Sequence, residues 1–306
     1  MFDIKKIIGH LQQHNQKAYY LAFLRVALSI WYLKELLFRW PALEMLYSGH
    51  GLFKLKPSAA ISLFHLNPLW LQQHYIMVVY ACIFLLLLNI IGIGRNIVSF
   101  LVFIALALLQ NMNDTFGNGG DWMALLLMFY LSFADTFSHF TLRKQKIYSP
   151  EMQRLHNLVS NLASYAIIIN LCLVYFMAGL YKAQDPYWLK GTGIYYFLND
   201  DRYSILAANK QLVSPSIWMY VVNYGTVLFE ISFPFLVFFK RSRWIALLLG
   251  VLMHLGIYFF LMIYGMSVVF ILQYGLFFSN EEIISIVEKI KAMLKFKRKT
   301  LPAVIK

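Results

Sequence analysis

The chain reads as an all-α integral membrane protein, a bundle of about eight transmembrane helices. Three observations predict this. The 306 residues are 60% hydrophobic and only 13% charged, with a mean hydropathy of +0.61, whereas soluble domains carry about 25% charged residues. Apolar runs recur at roughly the 20-residue length that crosses a bilayer core. Lys and Arg gather in alternate segments between those runs, as topogenic charge does.

The elements follow in chain order. Residues 1–17 are polar and basic with no small-residue cleavage signature, so they are predicted to stay as a cytoplasmic N-terminal segment before a retained first helix. Spans are predicted at 18–38, 74–93, 96–111, 121–139, 161–181, 216–239, 244–262 and 264–279, the third and eighth being short. Residues 57–70 are too interrupted to span and are predicted to lie at the interface or to re-enter. Breaks are marked by Gly92 and Gly94, by Gly117, Gly119 and Gly120, by Ser149 with Pro150, and by Gly191 and Gly193. Together 18–280 form one membrane domain without internal repeat, and 281–306 a basic amphipathic cytoplasmic tail.

Charge sets the expected orientation. With the N-terminus inside, 18 of the 27 Lys and Arg fall on cytoplasmic segments, 7 on outer loops, and Arg25 and Lys34 within the first helix. That alternation predicts both termini cytoplasmic in a multi-pass protein of the cell's inner (cytoplasmic) membrane. The net charge of +13 is distributed between apolar runs rather than along one face, so nucleic acid is excluded as a partner and membrane lipid expected. In the tail, Ile283, Ile284, Ile286, Val287 and Ile290 alternate with charges, and Lys295 to Lys299 fit anionic headgroups or simple topogenic charge. Cys82 and Cys172, isolated in apolar runs, read as structural thiols and give no metal spacing; no metal is expected.

Charges inside a bilayer are costly, so Arg25, Lys34, Glu35, Glu230 and His254 are the candidates for function. Lys34 and Glu35 lie near a helix end and read as structural. Glu230 fits a helix–helix ion pair with Arg25 as well as a catalytic role. His254, amid Leu252, Met253 and Leu255, fits a hydrogen-bonded core position as well as a proton-transfer one. Two outer loops are unusual. One carries Asn111, Asn113, Asp114, Asn118, Gly119, Gly120, Asp121 and Trp122; the other follows the fifth helix with Lys182, Trp188, Lys190 and Gly191. Lys182 at the interface reads either as a desolvated general base or as an ordinary interfacial anchor.

The stretch Tyr175–Tyr196, reading YFMAGLYKAQDPYWLKGTGIYY, resembles the membrane domain of vitamin K-dependent gamma-carboxylase and the wider bacterial HTTM family. In that family an aromatic-rich helix ends in Ala-Gly-x-x-Lys, then Trp, Gly and an aromatic pair. The likeness extends in order through Phe23, Leu24 and Arg25, Asn118 to Asp121, Leu228 to Phe233, and Met253 and His254 to Gly265 and Met266. The resemblance implies a membrane enzyme with carboxylase-like lyase or oxidoreductase chemistry on a reduced quinone of the vitamin K type. Lys182 would be the base, His254 and Asp121 would support it, and Asn118, Trp188, Arg25 and Glu230 would bind substrate. Two departures remove the expectation of glutamate carboxylation: Gly119 stands where the carboxylase has His, and no large soluble region follows the membrane domain. A lipophilic quinol or a membrane-delivered peptide is then the expected substrate. The alternative is a non-catalytic membrane partner, beside a separate subunit, in maturation or export of a secreted peptide, similar to the sporulation-delaying-protein B family.

Overall fold

A computed structural model describes residues 4–48, 61, 65–112, 117–142, 147–200 and 216–300, and among them all regular structure is helical. Asn113, Asp114, Lys54, Lys56, Arg143, Lys144, Lys146, Arg202 and Lys210, half of the 57–70 segment, and the side chains of Lys295 to Lys299 lie outside the described residues.

Each of the eight predicted spans contains a helix. Helix α1 is Ile4–Gln13 and α2 Ala18–Phe38; after the short α3 (Leu43–Tyr47) and α4 (Pro68–Gln73) come α5 (Tyr75–Ile91), α6 (Arg95–Asn111) and α7 (Gly119–Phe133). Then follow α8 (Pro150–Lys182), the short α9 (Pro186–Leu189) and α10 (Gly193–Asn199), α11 (Ile217–Leu236), α12 (Lys240–Phe260), α13 (Tyr264–Gln273) with a 3-10 continuation Tyr274–Phe277, and α14 (Asn280–Thr300). Three of these, α8, α11 and α12, are long and apolar enough to cross a membrane. The others fall short for identifiable reasons. Helix α2 has the length but carries Arg25, Lys34 and Glu35, while α5 and α6 have 17 residues each and α7 has 15.

Local chemistry fixes the boundaries. Helix α5 stops at Gly92, whose φ of 82° suits the left-handed cap. Helix α7 ends at Phe133 rather than continuing to 139, because Asn96 donates from Nδ2 to the carbonyls of Ser132 and Ala134, each at 2.9 Å, as the chain turns extended. Helix α8 begins at Pro150, eleven residues before the predicted span. Ser149 caps it by accepting from Met152 N–H, and Pro150 sits at the first helical position, where its missing N–H costs nothing.

The polar extension of α8 has its own partner in α1. Asn161 donates to the carbonyls of Leu11 and His14 and accepts from Gln16 N–H, while Asn157 donates to the Gln12 carbonyl. At the same end Lys17 donates to the Phe278 carbonyl at 2.6 Å and Arg243 pairs with Glu282 at 2.5 Å, fastening the start of α14. The core between these ends is aliphatic, with Leu21, Leu24, Leu28, Leu86, Leu127 and Leu171 all about fully buried.

Candidate functional site

The opposite end of α8 presents the charged pair. Lys182 is the last residue of α8, and its Nζ lies 2.7 Å from both carboxylate oxygens of Glu230 on α11. The Glu230 side chain is 7% exposed and that of Lys182 23% exposed, so the carboxylate is the deeper partner. A glycine makes the approach possible. A Cβ on Gly179 would stand 2.9 Å from the Ile231 backbone nitrogen and 3.1 Å from the Glu230 Cβ, so only a residue without a side chain lets α11 lie this close to α8.

Trp188 closes the pair from the side, its ring centroid 5.2 Å from Lys182 Nζ, within cation–π range. Its position is built locally. Asp185 caps α9 by accepting from the N–H groups of Tyr187 and Trp188, buried Asn223 donates to the Trp188 carbonyl at 2.8 Å, and Gly193 leaves room for the indole. Tyr187 and Tyr196 pack at 4.4 Å between centroids beside it.

Two turns back on α8, Tyr175 falls on the same face as Gly179 and Lys182. Its hydroxyl is hydrogen-bonded to His254 Nε2 at 2.6 Å and also to the Tyr274 hydroxyl. All three side chains are buried, and Gly250 provides the space into which the Tyr274 hydroxyl projects. Phe233 and Phe270 wall the chain, with centroids 4.3 Å and 5.7 Å from Tyr175. The His254 Nδ1 has no hydrogen-bond partner. This imidazole–phenol–phenol arrangement can hold or hand on one proton among three elements.

The candidates from the sequence therefore separate. Lys182, Glu230 and Trp188 come together, and His254 joins the same face of α8 through Tyr175. Arg25 does not pair with Glu230. It is 0% exposed, lies over the Phe137 ring at 4.5 Å, and donates to the backbone carbonyls of Asn89, Ile90, Thr136 and Phe140. Asn118 and Asp121 form a reciprocal capping box at the start of α7: Asn118 Oδ1 accepts from the N–H groups of Gly120 and Asp121, and Asp121 Oδ2 accepts from Asn118 N–H. Among the described residues no hydrogen bond or ion pair links this box to Lys182. Lys34 pairs with Glu35 at 2.6 Å, and Glu35 with Arg39 at 3.2 Å, at the end of α2. The sequence marks Tyr175 only as the start of the motif stretch, seven residues before Lys182, and gives no sign of Tyr274 or Asn223. Among the described residues no group of three His, Cys, Asp or Glu stands where it could hold a metal ion.

Fold and site together define an all-helical protein with helices able to cross a membrane, carrying a shielded lysine–glutamate pair beside a buried imidazole–phenol chain. Comparison of the chain with protein-family models, with curated proteins and with solved structures finds no match.

Proposed function

We propose that the chain is a multi-pass membrane enzyme of the HTTM type, with all eight apolar helices in the bilayer and both termini cytoplasmic. In this reading Lys182 acts as a base, at the outer face, on a lipophilic quinol or a membrane-delivered peptide. The observation that carries it is the Lys182–Glu230 pair, held at 2.7 Å beside an indole at the end of a membrane-length helix. Helices α5, α6 and α7 rise only about 22–26 Å at 1.5 Å per residue, so the bilayer thins at their ends or aromatic side chains bridge the difference.

The pair, rather than the lysine alone, handles the proton. Transfer from Lys182 Nζ along the 2.7 Å hydrogen bond to a Glu230 oxygen leaves a neutral amine and a carboxylic acid. The amine then takes a hydroxyl proton from the ligand, and the ligand anion stays beside the ammonium just formed. Exposed Tyr187 and Tyr196, packed beside buried Trp188, offer ring surfaces that suit an aromatic lipophile such as a quinol. The His254–Tyr175–Tyr274 chain, on the same face of α8, supplies a second proton store.

The test is mass spectrometry of lipids and peptides co-purifying with the protein, alongside complementation. Wild type should retain a quinone that Lys182→Ala and Glu230→Gln lose, with activity falling in both. No retained quinone, together with full complementation by Lys182→Ala, sinks the proposal. One observation favours a second reading as a non-catalytic partner in peptide maturation or export: Lys182 Nζ is already engaged by both Glu230 oxygens and the Trp188 ring. A stable co-purifying subunit with its own reactive site, and no effect of Lys182→Ala on the product, would favour that reading.

A further inference from the structure

Helix α1 carries Ile4, Ile7, Ile8 and Leu11 at the i, i+3, i+4, i+7 spacing that makes one stripe. Leu11 is buried, whereas Ile4, Ile7 and Ile8 are exposed. The stripe that seats α1 on the bundle thus runs on past its edge, and a contiguous apolar surface of this kind marks something that covers it. Lys5 and His10 stand on the two borders of the stripe and Lys6 opposite it. Residues 1–17 hold Lys5, Lys6 and Lys17 against Asp3 alone, so the segment is basic.

Helix α8 sets the depth at which this surface lies. From Asn161 to Tyr181 it carries no charge, and at 1.5 Å per residue that stretch rises about 31 Å, against about 30 Å for a bilayer core. Asn161 thus stands at the rim of the core, and Asn157, one turn earlier, about 6 Å outside it. Helix α1 is fastened at that level: Asn157 donates to the Gln12 carbonyl and Asn161 to those of Leu11 and His14. Just beyond α1, the Tyr165 hydroxyl donates to the Gln16 side chain at 2.9 Å. Residues 4–8 and 150–155 are all exposed, so α1 does not lie along the polar extension of α8 but leaves it near Asn157. The seven residues from Leu11 back to Ile4 reach only about 10 Å, which keeps the stripe close to the layer where amphipathic helices bury an apolar face.

We infer that α1 lies in the headgroup layer of the cytoplasmic leaflet, with Ile4, Ile7 and Ile8 against the acyl boundary and Lys5 and Lys6 among anionic headgroups. The segment is then an interfacial anchor whose hold depends on the charge of the leaflet. This rests on α8 crossing the bilayer with its first turn on the cytoplasmic side, as in the proposed function, and on no role of Lys182.

The experiment places a nitroxide label on the full-length protein in nanodiscs of phosphatidylcholine and phosphatidylglycerol at about 2:1. It compares collisions with oxygen, which collects among acyl chains, and with a water-soluble nickel chelate. Cys82 and Cys172 are buried, so unmutated protein treated alike gives the blank. The label on Ile7→Cys should meet oxygen and be shielded from nickel, while that on Gln13→Cys, on the opposite side of α1, should meet nickel. Leu173→Cys, at an exposed position midway along the uncharged stretch of α8, marks the core. Lys5→Gln and Lys6→Gln should each lower the ratio of buried to water-exposed Ile7 label about fivefold. A deep Leu173 label with an Ile7 label open to nickel overturns this inference alone, whereas a Leu173 label open to nickel overturns the crossing by α8 as well. An Ile7 label shielded from both probes assigns the stripe to a protein partner or a second copy and overturns the inference too. An unchanged ratio in both lysine variants overturns the choice of anionic headgroups.

Discussion

A single methyl group at Gly179 should decide whether Lys182 keeps its partner. The Cβ of Gly179→Ala would stand 2.7 Å from Ile231 Cγ1 and 2.9 Å from the Ile231 backbone nitrogen, whereas such contacts settle at about 3.5–4.0 Å. The Ile231 side chain can swing aside, but its nitrogen belongs to the backbone of α11 and cannot, so α8 and α11 must part by up to about 1 Å. Overpacking of this kind costs about 1–3 kcal/mol, offset by about 0.5–1 kcal/mol that alanine gains over glycine within a helix. A net loss of up to about 2.5 kcal/mol is expected. Gly225, on α11 itself, has nothing within 4 Å of its Cβ position, so Gly225→Ala should gain about 0.5–1 kcal/mol. Reversible unfolding of the two purified variants in mixed micelles measures the contrast. Equal stabilities, or a Gly179→Ala variant more stable than wild type, would refute the close approach of α8 to α11 and with it the geometry of the pair.

Two further outcomes follow from the ends of the bundle. Arg25→Lys should lower the yield of folded protein sharply even though charge is kept, since one ammonium cannot serve four carbonyls spread over Asn89, Ile90, Thr136 and Phe140; size-exclusion profiles in detergent check this, and a wild-type profile would contradict it. Burial lowers the pKa of Lys17 from 10.5 to about 8. The folded chain thus sheds this proton near pH 8 while the unfolded chain holds it to about 10.4, so the unfolded state binds more protons in that window and stability rises with pH across it. Denaturation curves at steps between those values should show the rise in wild type and a flatter course in Lys17→Met.

Hydropathy located the helices because an apolar run long enough to cross a bilayer has no other compact use. It failed where a helix is held by polar bonds instead. Glu151, Gln153, Arg154 and His156 interrupt every hydropathy window over the first turns of α8, yet Asn157 and Asn161 anchor those turns to α1. Lys182 was legible as a candidate from its place at a helix end. Its partner was not, because Glu230 lies 48 residues away and only the close contact at Gly179 determines which charge faces which. An ion pair with Glu230 was one of the readings open for Arg25. Helix α7 ends early instead, and the Thr136 and Phe140 carbonyls beyond it supply the acceptors.

Asn15 also carries a consequence for how the chain is assembled. Its side chain donates to Ser160, 145 residues further on, and its carbonyl accepts from Asn280, 265 residues further on. Its side chain also donates to the Asp135 carbonyl, 120 residues further on, so at about 5–20 residues per second of synthesis the segment waits roughly 6–24 seconds before its first clasp exists. The clasp to Asn280 forms only once residue 280 has been made. Helix α1 is thus seated only after α8 and the start of α14 are made, and that seating buries Leu11 while Ile4, Ile7 and Ile8 stay exposed and open to lipid. Seating of α1 therefore requires α8 and the start of α14 together, so protection of its amides from hydrogen exchange would report that all three have met.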